Sequence, residues 1–277
     1  MIAFAMEQPK VSVAPEAVFH IGSFIVTNSQ LLSVIGIAVI LAVLFTAKRQ
    51  VKKGGRGRLM HMVMWMFESL YDTTVEVIGD RAVALKVMPL AITLFLFFLI
   101  NNWLGILPFT GDALTYHHVA MFRGAAADMN TTFALAILSM GTAQVWAIRR
   151  HGFFGNIRRY LVSPFKDPLH SFEGALEIVA EFSRTLALSL RIFGNVFGGE
   201  VLLAVIGFLA SWAAPLALPL FYILELFVGA VQAYVFFMLT VAFISLGLPQ
   251  AEADGHGDDA HAPRAGAKKQ KQQPAES

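Results

Sequence analysis

Residues 87–107 read VMPLAITLFLFFLINNWLGIL, a run without one charged side chain and long enough, at the roughly 20 residues a helix needs, to cross a lipid bilayer. Such a run fixes the solvent in which much of the chain must fold. The composition agrees with it: 56% of the residues are hydrophobic, 14% are charged and the mean hydropathy is +0.62, values that belong to an integral membrane protein. A net charge of +2 is too small for nucleic-acid binding, and the basic residues stand in short blocks beside apolar runs instead of forming one stripe. With no cysteine in the chain, disulfide frameworks, thiolate metal sites and thiol nucleophiles are excluded.

The basic blocks orient the spans. A first span over residues 31–47 runs into Lys48, Arg49, Lys52, Lys53, Arg56 and Arg58, which puts that end on the cytoplasmic side and the N-terminal segment, 1–30, outside. This segment lacks a basic region followed by an apolar core and a cleavage site, so the first hydrophobic helix is expected to be its own insertion signal. The second span, 87–107, stops at Pro108 and leads into a loop whose single basic residue before Asp128 is Arg123, as an outer loop should. A third span, 130–148, returns the chain to the basic side at Arg149, Arg150, Arg158, Arg159 and Lys166. Two further apolar segments, 172–209 and 216–246, exceed the crossing length, which predicts tilt or extension beyond the bilayer, with Pro215 and Pro219 marking the bend between them.

The fold expected is therefore all-α and polytopic: a membrane domain over 31–248 with about five transmembrane helices, the last two long and tilted. Residues 60–78 add an amphipathic helix, with Met64, Phe67, Tyr71, Val75 and Ile78 at helical spacing and Glu68, Asp72 and Glu76 on the other side. It fits a helix lying in the cytoplasmic headgroups or one that docks another subunit. The tail, 249–277, is rich in Ala, Gly, Asp, His, Lys and Gln without an apolar period, and is expected to be disordered on the cytoplasmic side.

Polar residues inside the last two apolar segments are sparse, which makes each a candidate for an ion path. Arg191 lies in LALSLRIFGNVFGGE, where a charge costs roughly 2.5 to 3.5 kcal/mol on insertion scales. Glu200 follows nine positions later, half a turn out of phase, so the two leave opposite faces of one helix and Arg191 should face something beyond it. Asn195 shares the face of Arg191; Glu225 and Gln232 share a face of the last helix, so antiparallel packing could bring the two polar rows together. Glu177, Arg184 and Arg191 recur every seven residues, a stripe that either lines a watery entrance or, with Glu181, makes local pairs near a helix end. The alternative for a buried Glu200 or Glu225 is a protonated carboxyl hydrogen-bonded between helices. Gly194 and Gly198 permit close approach of a helix, from this chain or another. Asp128, Asn130, Thr131 and Thr132 open the third span, as a cap or as the lining of an outer vestibule.

Beyond this physical reading, LALSLRIFGNVFGGE resembles the signature of the a subunit of F-type ATP synthases, the stator channel subunit of the membrane sector. LELFVGAVQAYVFFMLTVAFISL is similar to that family's final helix, AADMNTTFALAI to its third-span start and FLFFLINNWLGILPF to its second-span end. The resemblance implies that Arg191 faces the carboxylates of a rotating c ring between two offset half-channels, with b subunits of the peripheral stalk as further partners; the absence of a transit-like leader makes a bacterial plasma membrane the expected location. The resemblance implies no cofactor and no metal. By motif position, Asn195, Glu200, Glu225 and Gln232 would belong to the outer half-channel and Glu177 to the cytoplasmic one. Some relatives carry His where this chain has Glu225, and a tyrosine where it has Phe243.

An ion pair at 4 Å is worth about 4 kcal/mol at an effective dielectric of 20, against about 2.3 kcal/mol per charge from 100 mV, so a working Arg191 should be hydrated and loosely engaged. A self-contained secondary transporter should show paired broken helices, and no inverted repeat is present. A membrane hydrolase should show HExxH or GxSxG; neither occurs, and His20, His61, His117, His118, His151 and His170 fall in loops or at helix ends.

Overall fold

The computed structural model describes residues 15–21, 24–52, 57–107, 115–116, 119–155, 168–210 and 213–248. The expected tail, 249–277, lies outside the described residues, as do Lys53, Arg56, Arg158, Arg159 and Lys166 of the basic blocks. Six long helices carry the architecture: α1 (Asn28–Lys52), α2 (Arg58–Ile78), α3 (Arg81–Ile106), α4 (Met129–His151), α5 (Pro168–Ala210) and α6 (Ala214–Leu246). All but α2 are long and apolar enough to cross a membrane, giving the five spans expected. Helices are forced on these segments because hydrocarbon offers backbone groups no partner but one another.

The helices extend past the apolar runs that announce them. α1 begins at Asn28 and α3 at Arg81, where Asp80 accepts a hydrogen bond from the backbone N–H of Ala82 at 2.7 Å; caps and polar first turns continue a helix that hydropathy alone cannot see. α2 closes on Gly79, whose φ of 77° lets the chain turn straight into the α3 cap. Outside the helices, β1 (Ala17–Ile21) pairs antiparallel with β2 (Phe24–Thr27), and β3 (Thr115–Tyr116) with β4 (Val119–Ala120). β1 touches β4, and Ser29 donates a hydrogen bond to Asp128 at 3.1 Å, so the N-terminal hairpin and the loop before α4 share one end of the bundle.

α6 is the hub, packed against α2, α3, α4 and α5. Its seam with α3 is aromatic: the rings of Phe98 and Phe236 lie 4.4 Å apart and those of Phe95 and Phe237 meet edge-on at 6.2 Å. Lipid supplies no hydrophobic drive between helices, so close packing and buried hydroxyls hold the seams. Ser139 and Thr240 join α4 to α6 at 2.8 Å, Ser189 donates to Thr132 between α5 and α4 at 3.2 Å, and Ser245 donates to the Val77 carbonyl of α2 at 3.0 Å.

α2 turns Leu70 and Thr74 fully inward, with Met66, Phe67, Val77 and Ile78 packed beside them, and leaves Glu68, Asp72 and Glu76 exposed. Its packed face is thus rotated slightly from the Met64–Tyr71–Val75 line expected from sequence. The reason is that α2 leans on α3 and α6, while Met62, Met64 and Trp65 form a second apolar edge that is exposed.

Candidate functional site

The site lies where α5 passes α6. Arg191 is exposed on α5 and, among the described residues, makes no hydrogen bond or ion pair. It lines an open groove of about 570 Å³ together with Gly194, Asn195, Phe227, Val231 and Gln232. The packing of α5 on α6 therefore brings Gln232 to Arg191 and Asn195, while Glu225, expected on the same row as Gln232, lines a separate space with Asn195. A Cβ placed on Gly194 or Gly198 would meet nothing within 4 Å. Among the described residues those glycines do not serve packing; they bare the helix surface beside Arg191. Leu190, Phe227 and Val231 flank the same face and are exposed.

Behind the groove is a second space. A chamber of about 30 Å³, room for one water, is lined by Asn102 and Gly105 of α3, Asn195 and Glu200 of α5, and Glu225 and Gly229 of α6. Asn195 borders both spaces. The half-turn phase difference between Arg191 and Glu200 is what separates them, and the nine-residue interval sets Glu200 about 14 Å along the axis from Arg191. Glu225 is near enough to Glu200 for the two carboxylates to interact, and it fills the space over Gly199. Asn102 donates to the Gly229 carbonyl at 3.4 Å, while its Oδ1 and the Nε2 of Gln232 are buried without a hydrogen-bond partner among the described residues.

Glu200 has a partner that sequence reasoning missed. Arg123, from the loop before α4, places its Nε 3.2 Å from Glu200 Oε2, with side-chain exposures of only 11% and 28%. Hydropathy gives Arg123 only a topological meaning. The one usable signal was its isolation, a lone cation in the loop between two spans while a carboxylate in a span lacked a mate. Asn102 was likewise hidden inside an apolar run.

On the other side of Arg191, towards the start of α5, another space of about 30 Å³ is lined by Gln144 of α4, Glu181 and Arg184 of α5, and Phe243 and Leu246 of α6. Of the expected stripe, Arg184 reaches this space; Glu177 is half-buried and engaged within the protein but lines none of the three cavities. Asp128 caps α4, accepting from the Asn130 N–H at 2.9 Å, from Thr131 at 3.3 Å and from Ser29, and it is buried. The capping reading holds for Asp128 with Asn130 and Thr131, whereas Thr132 accepts from Ser189 of α5. No group of three or more His, Asp or Glu side chains suited to a metal ion occurs among the described residues.

Comparison with known proteins gives a consistent picture. The family profile described as "ATP synthase A chain" matches residues 30–245. Curated relatives named ATP synthase subunit a include that of Mycobacterium leprae, 30% identical over 86% of this chain and 91% of its own length. That of Priestia megaterium is 30% identical over 76% and 85%, and that of Mycobacterium bovis 34% identical over 63% and 68%.

Proposed function

The chain belongs to the ATP synthase subunit a family, and from that premise we propose that it is the stator of the membrane sector, forming two proton half-channels against a rotating ring of c subunits. The observation that carries this reading is Arg191: a cation on an open helix face, flanked by bare glycines, with no acid among the described residues paired to it. A charge so placed needs a counter-charge brought by another molecule. A ring of helices that presents carboxylates one after another supplies it.

The two small cavities supply the half-channels. The Glu200–Glu225 chamber and the groove of Arg191 have Asn195 in common, and the Gln144–Glu181–Arg184 space lies on the opposite side of Arg191 along α5. Protons reaching the ring from one side leave to the other only after passing Arg191, whose fixed charge favours a deprotonated ring carboxylate and opposes direct leakage. Arginine suits this position because it keeps its proton. Its exposed, loosely engaged state fits a contact that must form and break at each step. Glu177 would serve the approach to the inner half-channel, and b subunits of the peripheral stalk would hold the assembly against torque. The N-terminal hairpin would face the outside and the tail the cytoplasm of a bacterial plasma membrane.

The test is ATP-driven acidification of inverted membrane vesicles carrying the assembled complex, wild type against Arg191→Ala, with assembly checked by blot. Pumping should be lost while assembly persists. Undiminished pumping would remove Arg191 from the mechanism.

A further inference from the structure

We propose that Arg123 is a positioning residue of the outer half-channel, acting on transport through the charge of Glu200; this rests on the stator reading above. The loop that carries Arg123 is anchored, not loosely draped. Ala125, Ala126 and Ala127 form a short 3-10 turn and are buried, and Asp128 immediately caps α4. One residue after Arg123, Gly124 packs on the end of α3 so closely that a Cβ on Gly105 would come within 3.0 Å of its Cα. The backbone of Gly124 also hydrogen-bonds Glu200.

Arg123 is thereby delivered to a fixed place. Its guanidinium contacts Glu200 and stands 5.9 Å from the centroid of the Phe197 ring, one turn back along α5, within range of a cation–π contact. Glu200 and Glu225 share a chamber holding room for one water, and two like charges at such a spacing oppose each other. The cation offsets that opposition from outside the chamber wall. It leaves the other face of Glu200 free to exchange a proton with Glu225 or water. The low exposure of both partners limits screening by salt.

A purely structural role would be to pin the loop, and the two roles separate in one experiment. Glu200→Gln keeps an acceptor for Arg123, so the pin survives while the charge is gone. Pumping is measured in vesicles carrying the whole complex with Arg123→Ala, Glu200→Gln, the double variant, Arg123→Lys and Arg191→Ala. If Arg123 acts through the charge, Arg123→Ala lowers pumping roughly tenfold, Arg123→Lys recovers part of it, and the double variant is no slower than Glu200→Gln alone. Losses that multiply in the double variant, or wild-type pumping in Arg123→Ala, overturn the proposal. Should Arg123→Ala fail to assemble, Arg123→Gln takes its place in the cycle. Pumping lost in Arg191→Ala but intact in Arg123→Ala overturns only the role of Arg123, whereas pumping retained in Arg191→Ala overturns the stator reading itself.

Discussion

The carboxylate of Glu225 occupies the place where a side chain on Gly199 would begin. Two helices thus exchange a missing side chain for an acidic one, and the acid is delivered to the chamber that Glu200 also lines. Gly199→Ala would force Glu225 out of that position, and ATP-driven pumping should fall severalfold with assembly preserved. Shortening the acid in the double variant Gly199→Ala/Glu225→Asp should restore part of the rate. Equal rates in the single and double variants would mean that crowding is not how residue 199 acts.

A similar exchange holds α1. Asn101 of α3 is buried, donates to the Phe97 carbonyl at 2.8 Å and fills the notch left by Gly36. Gly36→Leu should overpack this contact and cost about 1–3 kcal/mol, seen as a lower melting temperature of the purified complex. Adding Asn101→Ala should recover most of the loss. An unchanged melting temperature in Gly36→Leu would show that α1 is free to shift outward.

How much of this was legible beforehand depends on the kind of contact. Five crossings follow from the apolar runs and basic blocks, because hydropathy reports the solvent of each segment directly. The polar face of α5 in the groove was legible too: Arg191 to Asn195 is an interval within a single helix, where 3.6 residues per turn fixes the face. The Arg123–Glu200 pair was not, since it joins residues 77 apart through a loop whose path depends on how Gly105 and Gly124 meet. Asn101 and Asn102 were hidden for another reason. They are neighbours on α3, so one faces α1 and the other α6, and a hydropathy window averages both into the apolar run around them.

The buried hydroxyl pair of Ser139 and Thr240, 2.8 Å apart, is the polar rivet between α4 and α6. Thr240 also donates to the Phe236 carbonyl, as threonine does within a helix. Interhelical bonds of this type average about 0.6 kcal/mol in membranes, so a Ser139→Ala, Thr240→Val double-mutant cycle on the melting of the complex should return a coupling near that size. A coupling above roughly 2 kcal/mol would place the pair in a larger network than the one seen.

Three glycines within six residues of α5 should respond in opposite ways. Gly199 is filled from within by Glu225, whereas Gly194 and Gly198 look onto open space beside Arg191. A Cβ at either position meets nothing among the described residues, and glycine is the poorer helix former, so with Gly194→Leu or Gly198→Leu the isolated subunit should insert at least as well as wild type. If a second set of helices slides along this face, however, each added side chain projects into its path. The expected outcome is normal membrane insertion by protease protection, together with loss of ATP-driven pumping or of c-subunit co-purification. Normal pumping in both variants would mean that no partner approaches α5 here, and the open face of Arg191 would then be a lipid-facing one.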